Sequence, residues 1–357
     1  MHFELCRAPA RCRVGTTPGL LATPGWPRPA RAMPAGTGGT ALASTDDVTR
    51  QADPRKTSCD RSDVHVRLLR LFASPSYQPP VLPAVALEIV QLASRPDATF
   101  EDVEAVLEHD SILAAKVLSI AQSALYAPRS PILSLKHATV RLGMKTIRDL
   151  VLEAALHLRV FRVPGYDAAM GRLARHSTVT AHLMRALCRK TAIEAEYAFA
   201  CGLLHDVGIA TCLLALSDDT RREAVPFEAL GGVLDDVHEE ASGLVTRLWG
   251  LPNEIQSVVA THHQLEVGGM PHPVNAALIV SEQLAGELDA GELDLGAAAC
   301  GGDATGGPLG SNPPELFDAA CAALGLEGRR IEAARAEASE IVNALSGPAP
   351  ESPPAFG

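Results

Sequence analysis

The sequence predicts an all-α fold, and two observations carry that prediction: its composition and the spacing of its apolar residues. Of the 357 residues, 47% are hydrophobic but only 4% are aromatic. A core built from Ala, Leu and Val suits packed helices better than sheets. Apolar residues recur at steps of three and four, and the alternating runs typical of strands are absent. The length allows one large domain or two ordinary ones.

The two ends of the chain differ from the rest in composition. Residues 1–60 are rich in Pro, Gly, Ala and Arg and lack apolar periodicity, which predicts a disordered tail. Two alternatives stay open: an over-long start with Met33 or a later codon as the true beginning, or an Arg-rich transit peptide. Residues 347–357 are predicted to be a second tail, and the Gly/Ala/Pro-rich residues 291–314 a flexible insertion.

Residues 61–162 are predicted to form a small N-terminal helical bundle. Short helices are expected near Val66, from Leu82–Pro83, after Thr99, around 112–120 and 132–142, and over 145–160. Thr99 has the character of an N-cap, followed by acidic residues in the first turn. Gly143 is expected to stop the helix before it.

Residues 163–290 are predicted to form a second, larger bundle. Helices are expected over 168–190, 192–206, 236–248, 253–263 and 274–287, with residues 217–234 as a loop containing a short helix. Residues 315–346 are predicted to supply two closing helices.

One stretch of this second bundle, residues 201–208, carries an adjacent His205–Asp206 pair after an apolar run. Imidazole and carboxylate both suit a divalent metal. Neighbours on a helix do not share a face, so the pair needs a helix end to turn both side chains inward. We expect Gly208 to give the backbone that freedom.

Further polar side chains interrupt the neighbouring apolar helices, one position per helix. A helical bundle builds a metal centre in its core in this way. The set would suit one or two divalent ions, with Asp206 bridging two. The alternative is that each residue is an ordinary core or surface side chain. The candidate ligands are His176, His205, Asp206, His238, His262, His263 and Glu282.

Several separated motifs resemble those of HDOD domain proteins, the signalling-output branch of the HD superfamily of metal-dependent phosphohydrolases. The resemblance covers about residues 79–287. It is carried by residues 82–85 (LPAV), 107–118 (LEHDSILAAKVL), 202–208 (GLLHDVG), 248–252 (LWGLP) and His262–His263. It implies a small helical bundle packed on an HD-like helical bundle, and a role in bacterial signal transduction.

The resemblance also bears on the candidate ligands. The six histidine and aspartate candidates match HD ligand positions, and Glu282 stands where the superfamily usually has aspartate. Two departures argue against catalysis. Ile209 replaces a frequent lysine, which removes a phosphate-facing cation. No Gly-Tyr-Pro follows His263, which weakens a cyclic-di-GMP phosphodiesterase interpretation.

Three functional hypotheses follow. The first is a cytoplasmic signalling protein that acts through an unidentified protein partner. The second is a metal-dependent phosphohydrolase of a nucleotide or cyclic nucleotide, with Asp206 and His205 as catalytic residues and Fe, Mn or Mg favoured over Zn. The third is an unrelated helical scaffold whose histidines do not converge.

Charge and cysteine usage limit the partners. The formal charge of −11 argues against broad nucleic-acid binding. No apolar run of about eighteen residues is recognised, so no membrane span is expected. The eight cysteines show no C-x-x-C pair and are interpreted as incidental or buried thiols in a reducing compartment.

Overall fold

Helices dominate the protein from residue 61 to residue 346, as the composition predicts. This computed structural model describes those residues apart from 93–94, 96, 127–131, 133, 192, 194–195, 218–224 and 289–311. The predicted tails and most of the predicted insertion lie outside the described residues. Within the described part, the secondary structure comprises fourteen α-helices, one 3₁₀ helix and one two-stranded hairpin. The all-α prediction is confirmed.

The first six helices cover the region predicted as the N-terminal bundle. They are α1 (Arg61–Phe72), α2 (Ala84–Leu92), α3 (Phe100–Leu107), α4 (Ser111–Ala121), α5 (Leu135–Leu142) and α6 (Met144–Arg159). Local signals set their ends. Thr99 caps α3 in a capping box, because its hydroxyl accepts from the Asp102 backbone N–H and the Asp102 carboxylate accepts from the Thr99 N–H. Gly143 ends α5 with a φ of 82°.

The remaining helices build the larger bundle and close it. They are α7 (Asp167–Lys190), α8 (Ala198–Leu204), α9 (Val207–Ser217), the 3₁₀ helix (Phe227–Ala229), α10 (Gly231–Leu248), α11 (Asn253–Val259), α12 (Pro273–Leu288), α13 (Pro314–Ala323) and α14 (Arg329–Ser346). Some sequence-predicted bounds were wrong. The helix expected from residue 192 begins at Ala198, and the Glu196 carboxylate in the turn before it contacts Arg148 of α6 at 2.9 Å.

Two elements had no counterpart in the sequence prediction. The first is helix α9, which begins directly after Asp206. Helix α10, by contrast, was predicted, but it begins at Gly231, five residues before the predicted start. A two-stranded hairpin, β1 (Glu266–Val267) and β2 (Met270–Pro271), follows α11. Gly268 and Gly269 form its turn with φ values of 65° and 78°. Two consecutive positive φ angles are typical of the type I′ turn that joins tight hairpins.

One continuous apolar core joins the early helices to the later ones. It extends from Val64 in α1 to Val342 in α14. Helix α6 packs on α2, α4 and α5 and also contacts α7 and α8. Helix α1 packs against α9 and α10, although it belongs to the region predicted as the N-terminal bundle. Helix α6 therefore lies between the two groups of helices.

The segment formed by α8 and α9 corrects one sequence expectation. Residues Ala198–Ser217 are long and apolar enough to cross a membrane, whereas no such run was recognised in the sequence. In the fold, 89% of this segment's most apolar window is buried. It also carries the buried His205 and Asp206. This burial is what the core helix of a soluble protein shows.

Gly208 has a different role from the one predicted. It lies inside α9 and has no positive φ, so it does not end a helix. A Cβ at this position would overlap the backbone oxygen of His238 and lie 2.7 Å from the backbone nitrogen of Ser242. The Gly208 N–H donates to Ser242 Oγ at 2.8 Å. The missing side chain allows α9 to approach α10 closely enough to bring Asp206 towards His238.

We predict that Gly208→Ala destabilises the fold by about 1–3 kcal/mol, since the added methyl group meets backbone atoms that cannot move aside. Gly171→Ala is the matched control, because it lies in α7 with nothing within 4 Å of an added Cβ. The control should gain about 0.5–1 kcal/mol from its higher helix propensity. Urea unfolding of both variants checks this, and equal stabilities would contradict the packing argument.

Candidate metal centre

The structure brings together all seven side chains predicted as ligands. His176 comes from α7, His205 and Asp206 from the junction of α8 and α9, His238 from α10, His262 and His263 from the turn after α11, and Glu282 from α12. Two groups form. One contains His176, His205, Asp206 and Glu282, and the other contains His238, His262 and His263. Within each group, one ligand atom per residue lies within 4.8 Å of all the others. This convergence contradicts the unrelated-scaffold hypothesis.

The Asp206 carboxylate lies between the two groups. Its Oδ2 atom is 3.2 Å from His205 Nε2 and 3.9 Å from His176 Nε2. Its Oδ1 atom is 3.6 Å from Nε2 of both His238 and His262. The residue is fully buried, and no backbone N–H, amide or hydroxyl group donates to either oxygen, so that only imidazole rings face it. A buried carboxylate without such partners is costly unless a cation compensates it.

The imidazole rings are oriented with their Nε2 atoms towards this carboxylate. The Nδ1 atoms of His205, His238 and His262 contact the backbone oxygens of Gly202, Leu234 and Val259 at 2.8–2.9 Å. A carbonyl oxygen only accepts, so each Nδ1 carries the proton and each Nε2 of a neutral ring presents a lone pair.

The Nε2 lone pairs of three histidines point towards one another, an arrangement that suits a bound cation. His238 Nε2 lies 3.2 Å from His262 Nε2 and 3.0 Å from His263 Nε2. Three neutral imidazoles arranged in this way repel one another unless a proton or a metal ion lies among them. The backbone contacts at Nδ1 are also the arrangement that fixes metal-binding histidines in the correct tautomer. The residues present therefore fit a divalent metal ion.

Asn312 completes the site and was missed by the sequence analysis. It is buried, its Nδ2 donates to Glu282 Oε2 at 3.1 Å, and its Oδ1 accepts from His263 Nδ1 at 3.1 Å. The sequence predicts residues 312–314 as part of the flexible insertion, whereas in the structure Asn312 belongs to the site and Pro314 begins α13. The only available signal was the Pro313–Pro314 pair, which marks a helix start.

A second asparagine shapes the turn that carries two of the histidines. Helix α11 ends at Val259, so His262 and His263 lie beyond it and do not form its last turn as predicted. The buried Asn275 amide donates to the backbone oxygens of Thr261 and Gln264 at 2.8 and 2.9 Å. These bonds replace helical ones and hold both rings at the site.

The site distributes protons unevenly among its ligands. Burial disfavours a charged His205 ring, but the charge of Asp206 outweighs it and raises the pKa of His205 to about 9. Burial lowers the pKa of His262 to about 3 and raises the pKa of Glu282. A proton on His205 thus places positive charge next to the Asp206 carboxylate. Metal binding here would release that proton and become tighter as pH rises.

The six other histidines of the described residues do not join the site. None of the six belongs to either ligand group among the described residues. They are His65, His109, His137, His157, His182 and His272.

Comparison with known proteins agrees with the helical fold. The structure called "Putative phosphohydrolase", from Shewanella amazonensis SB2B, matches with a TM-score of 0.55 and 20% identity over 78% of this chain and 98% of that one. A second protein of that organism, called "Putative metal-dependent phosphohydrolase", matches with 0.55 and 19% over 79% and 99%. An HDOD domain protein with unknown function from Geobacter sulfurreducens matches with 0.49 and 20% over 78% and 99%. Among curated proteins, none matches this chain.

The fold and the site together define a helical protein with an HD-like arrangement of histidines and carboxylates. The HDOD domain model matches residues 80–265, which is more than half of the chain. The chain belongs to the HDOD family. The resemblance recognised in the sequence is confirmed.

We predict that Asn312→Ala weakens metal binding by about ten- to a hundredfold, because His263 and Glu282 lose the amide that orients both. Asn343→Ala, an exposed position on α14, serves as the control and should bind as the wild type does. Competition with a chelator of known affinity measures the change. Equal affinity of both variants would mean that Asn312 does not position the ligands.

Proposed function

We propose that this chain is a bacterial-type signalling-output protein that holds a divalent metal ion in its HD-like half and acts through contact with a protein partner. The observation that supports a metal centre is the Asp206 carboxylate. It is fully buried between the two histidine groups, and no backbone N–H, amide or hydroxyl group donates to it. Membership of the HDOD family supports the signalling part, because resemblance to this family implies output through protein contacts.

The ligand chemistry narrows the choice of metal. Both groups contain only histidine and carboxylate ligands. Iron and manganese, or magnesium, suit such ligands, whereas a structural zinc site would favour cysteine. The position of Asp206 between the two groups supports two ions with a shared carboxylate.

Exposed apolar side chains support a protein partner. Ile112 on α4 and Val140 on α5 are each 61% exposed, and Phe100 on α3 is 38% exposed. These three helices pack on one another. Exposed apolar side chains on neighbouring helices are candidates for a shared interaction surface. The four described cysteines are free and buried, which supports a reducing, cytoplasmic location.

A metal-dependent phosphohydrolase is the second candidate, favoured by the near-complete ligand set. A bound divalent ion would polarise a phosphoryl oxygen and lower the pKa of water. One or two such ions would be held by His176, His205, Asp206, His238, His262, His263 and Glu282. Against this candidate, Ile209 is buried and apolar at the position where the resemblance expects a lysine.

We predict that the purified protein contains stoichiometric iron or manganese and that Asp206→Asn loses most of it, because the amide cannot supply the central negative charge. Asp318→Asn, an exposed change on α13, should keep its metal. Elemental analysis of the three proteins measures this. Folded wild-type protein without metal, prepared free of chelator, would refute the metal centre.

Activity assays of the wild type, Asp206→Asn and Asp318→Asn distinguish between the two candidate functions. We expect no turnover of phosphomonoesters or cyclic nucleotides by any of them. Hydrolysis that Asp206→Asn abolishes and Asp318→Asn retains would establish the phosphohydrolase instead.

We predict that Ile112→Asp combined with Val140→Asp abolishes partner capture, since two charges would enter an apolar contact. The double variant should keep the wild-type metal content, because both positions lie outside the metal centre. Val81→Asp, a change of another exposed valine, is the control and should retain the partner. Quantitative affinity capture from the source cells measures recovery. A partner recovered equally by all proteins would place the contact elsewhere.

A further inference from the structure

The seven candidate ligands differ in their exposure to solvent. The side chains of six of them are at most 8% exposed, whereas that of His263 is 25% exposed. Its Nε2 atom points inward, 3.0 Å from His238 Nε2, and its Nδ1 atom donates to Asn312 Oδ1 at 3.1 Å. In the part of the chain that the structure describes, solvent therefore reaches the ligand set chiefly at the outer edge of the His263 ring.

Two carboxylates of helix α10 lie beside this ring. Glu239 Oε1 accepts from the His263 backbone N–H at 3.3 Å. Asp235 lies one turn earlier on the same face of α10, because residues four apart on a helix are neighbours. Partial burial raises the pKa of Asp235, and the rings of His238 and His263 oppose that rise, so this carboxylate also lies close to both rings. The two carboxylates therefore border the opening.

The fold does not explain why both of these groups are acidic. Like charges four residues apart destabilise a helix. Neither carboxylate forms an ion pair with a lysine or arginine in the described part of the chain, whereas the intervening Asp236 contacts His65 of α1 at 3.7 Å. A glutamine at position 239 would offer the same acceptor oxygen to the His263 N–H. The two negative charges therefore need another explanation.

The buried atoms behind the opening are those that a cation requires. Both oxygens of Asp206 face only imidazole rings, and Glu282 Oε1 is buried without a hydrogen bond. Asp235 and Glu239 belong to neither ligand group, so they do not complete the coordination of an ion bound there. Their charges act instead on an ion that is still in solvent, because negative groups at an opening raise the local concentration of cations.

The same charges disfavour anions. A phosphate monoester carries a charge of about −1.5 to −2 at neutral pH. It would have to pass Asp235 and Glu239 to reach an ion at Asp206, and repulsion between like charges opposes that approach. Ile209, which is buried and apolar, supplies no compensating positive charge. The opening therefore favours a small divalent cation over a phosphorylated molecule.

We propose that Asp235 and Glu239 form a cation-selective entrance to the metal centre. They attract a divalent cation from solvent towards His263, the exposed ligand, and they exclude phosphate-bearing molecules. This inference rests on the metal centre proposed above and specifies how its ion arrives. A centre that takes up metal from solvent but does not admit a phosphorylated substrate fits a signalling role better than hydrolysis.

Stopped-flow absorption of Co²⁺ uptake by the full chain, after removal of metal with a chelator, tests the entrance. We expect Asp235→Asn combined with Glu239→Gln to slow Co²⁺ association about tenfold or more at low salt, the size of effect that electrostatic attraction has on association rates. The rate of this double variant should depend less on ionic strength than that of the wild type. Its final Co²⁺ content should equal the wild-type value, because neither residue is a ligand. Excess inorganic phosphate should leave the Co²⁺ spectrum of the wild type unchanged.

Glu240→Gln is the matched control, because it removes the same charge from an exposed position of the same helix. It should bind Co²⁺ at the wild-type rate. Asp235→Asn alone, also at an exposed position, serves if the double variant does not fold, and it should slow uptake in the same direction. Equal rates in all proteins at full Co²⁺ content, or a Co²⁺ spectrum that phosphate changes, would overturn the entrance and leave the metal centre intact. No Co²⁺ uptake by the wild type would refute the metal centre and the entrance with it.

Discussion

The Asp206 carboxylate is the constraint on which the larger bundle depends. It is fully buried, no backbone N–H, amide or hydroxyl group donates to it, and four imidazole Nε2 atoms lie within 3.9 Å of its oxygens. Such a group is unfavourable inside a protein unless positive charge compensates it. Helices α7, α10 and α12 and the turn after α11 each present a side chain to this point. The convergence of the candidate ligands and the packing of these helices therefore depend on the same constraint.

Close helix contacts make that convergence possible. Gly208 lets α9 approach α10, and Gly202 lets α8 approach α7, where an added Cβ would lie 2.8 Å from the Ala181 Cα atom. Each approach brings a ligand-bearing segment nearer to the next. The glycines at these two helix contacts therefore determine how closely His205 and Asp206 approach the neighbouring helices.

Buried charges connect the early helices to this bundle. Arg148 of α6 bonds the neighbouring Asp149 and reaches Glu196 before α8, and Arg185 of α7 reaches Asp149 at 3.4 Å. Burial raises the pKa of Asp149, while the two arginines oppose that shift. Breaking a buried pair of this kind is costly because it leaves an unpaired charge.

The sequence by itself determined the helical class, the capped ends at Thr99 and Gly143 and the chemical identity of the seven candidate ligands, because periodicity, capping and residue type are local properties. Only the tertiary structure decided that Asn312 joins His263 to Glu282, that Gly208 serves a close helix contact, and that Glu153 of α6 faces His182 of α7. These outcomes depend on which distant segments pack together. No local pattern encodes such contacts, since apolar spacing reports that a face is buried but not what lies against it.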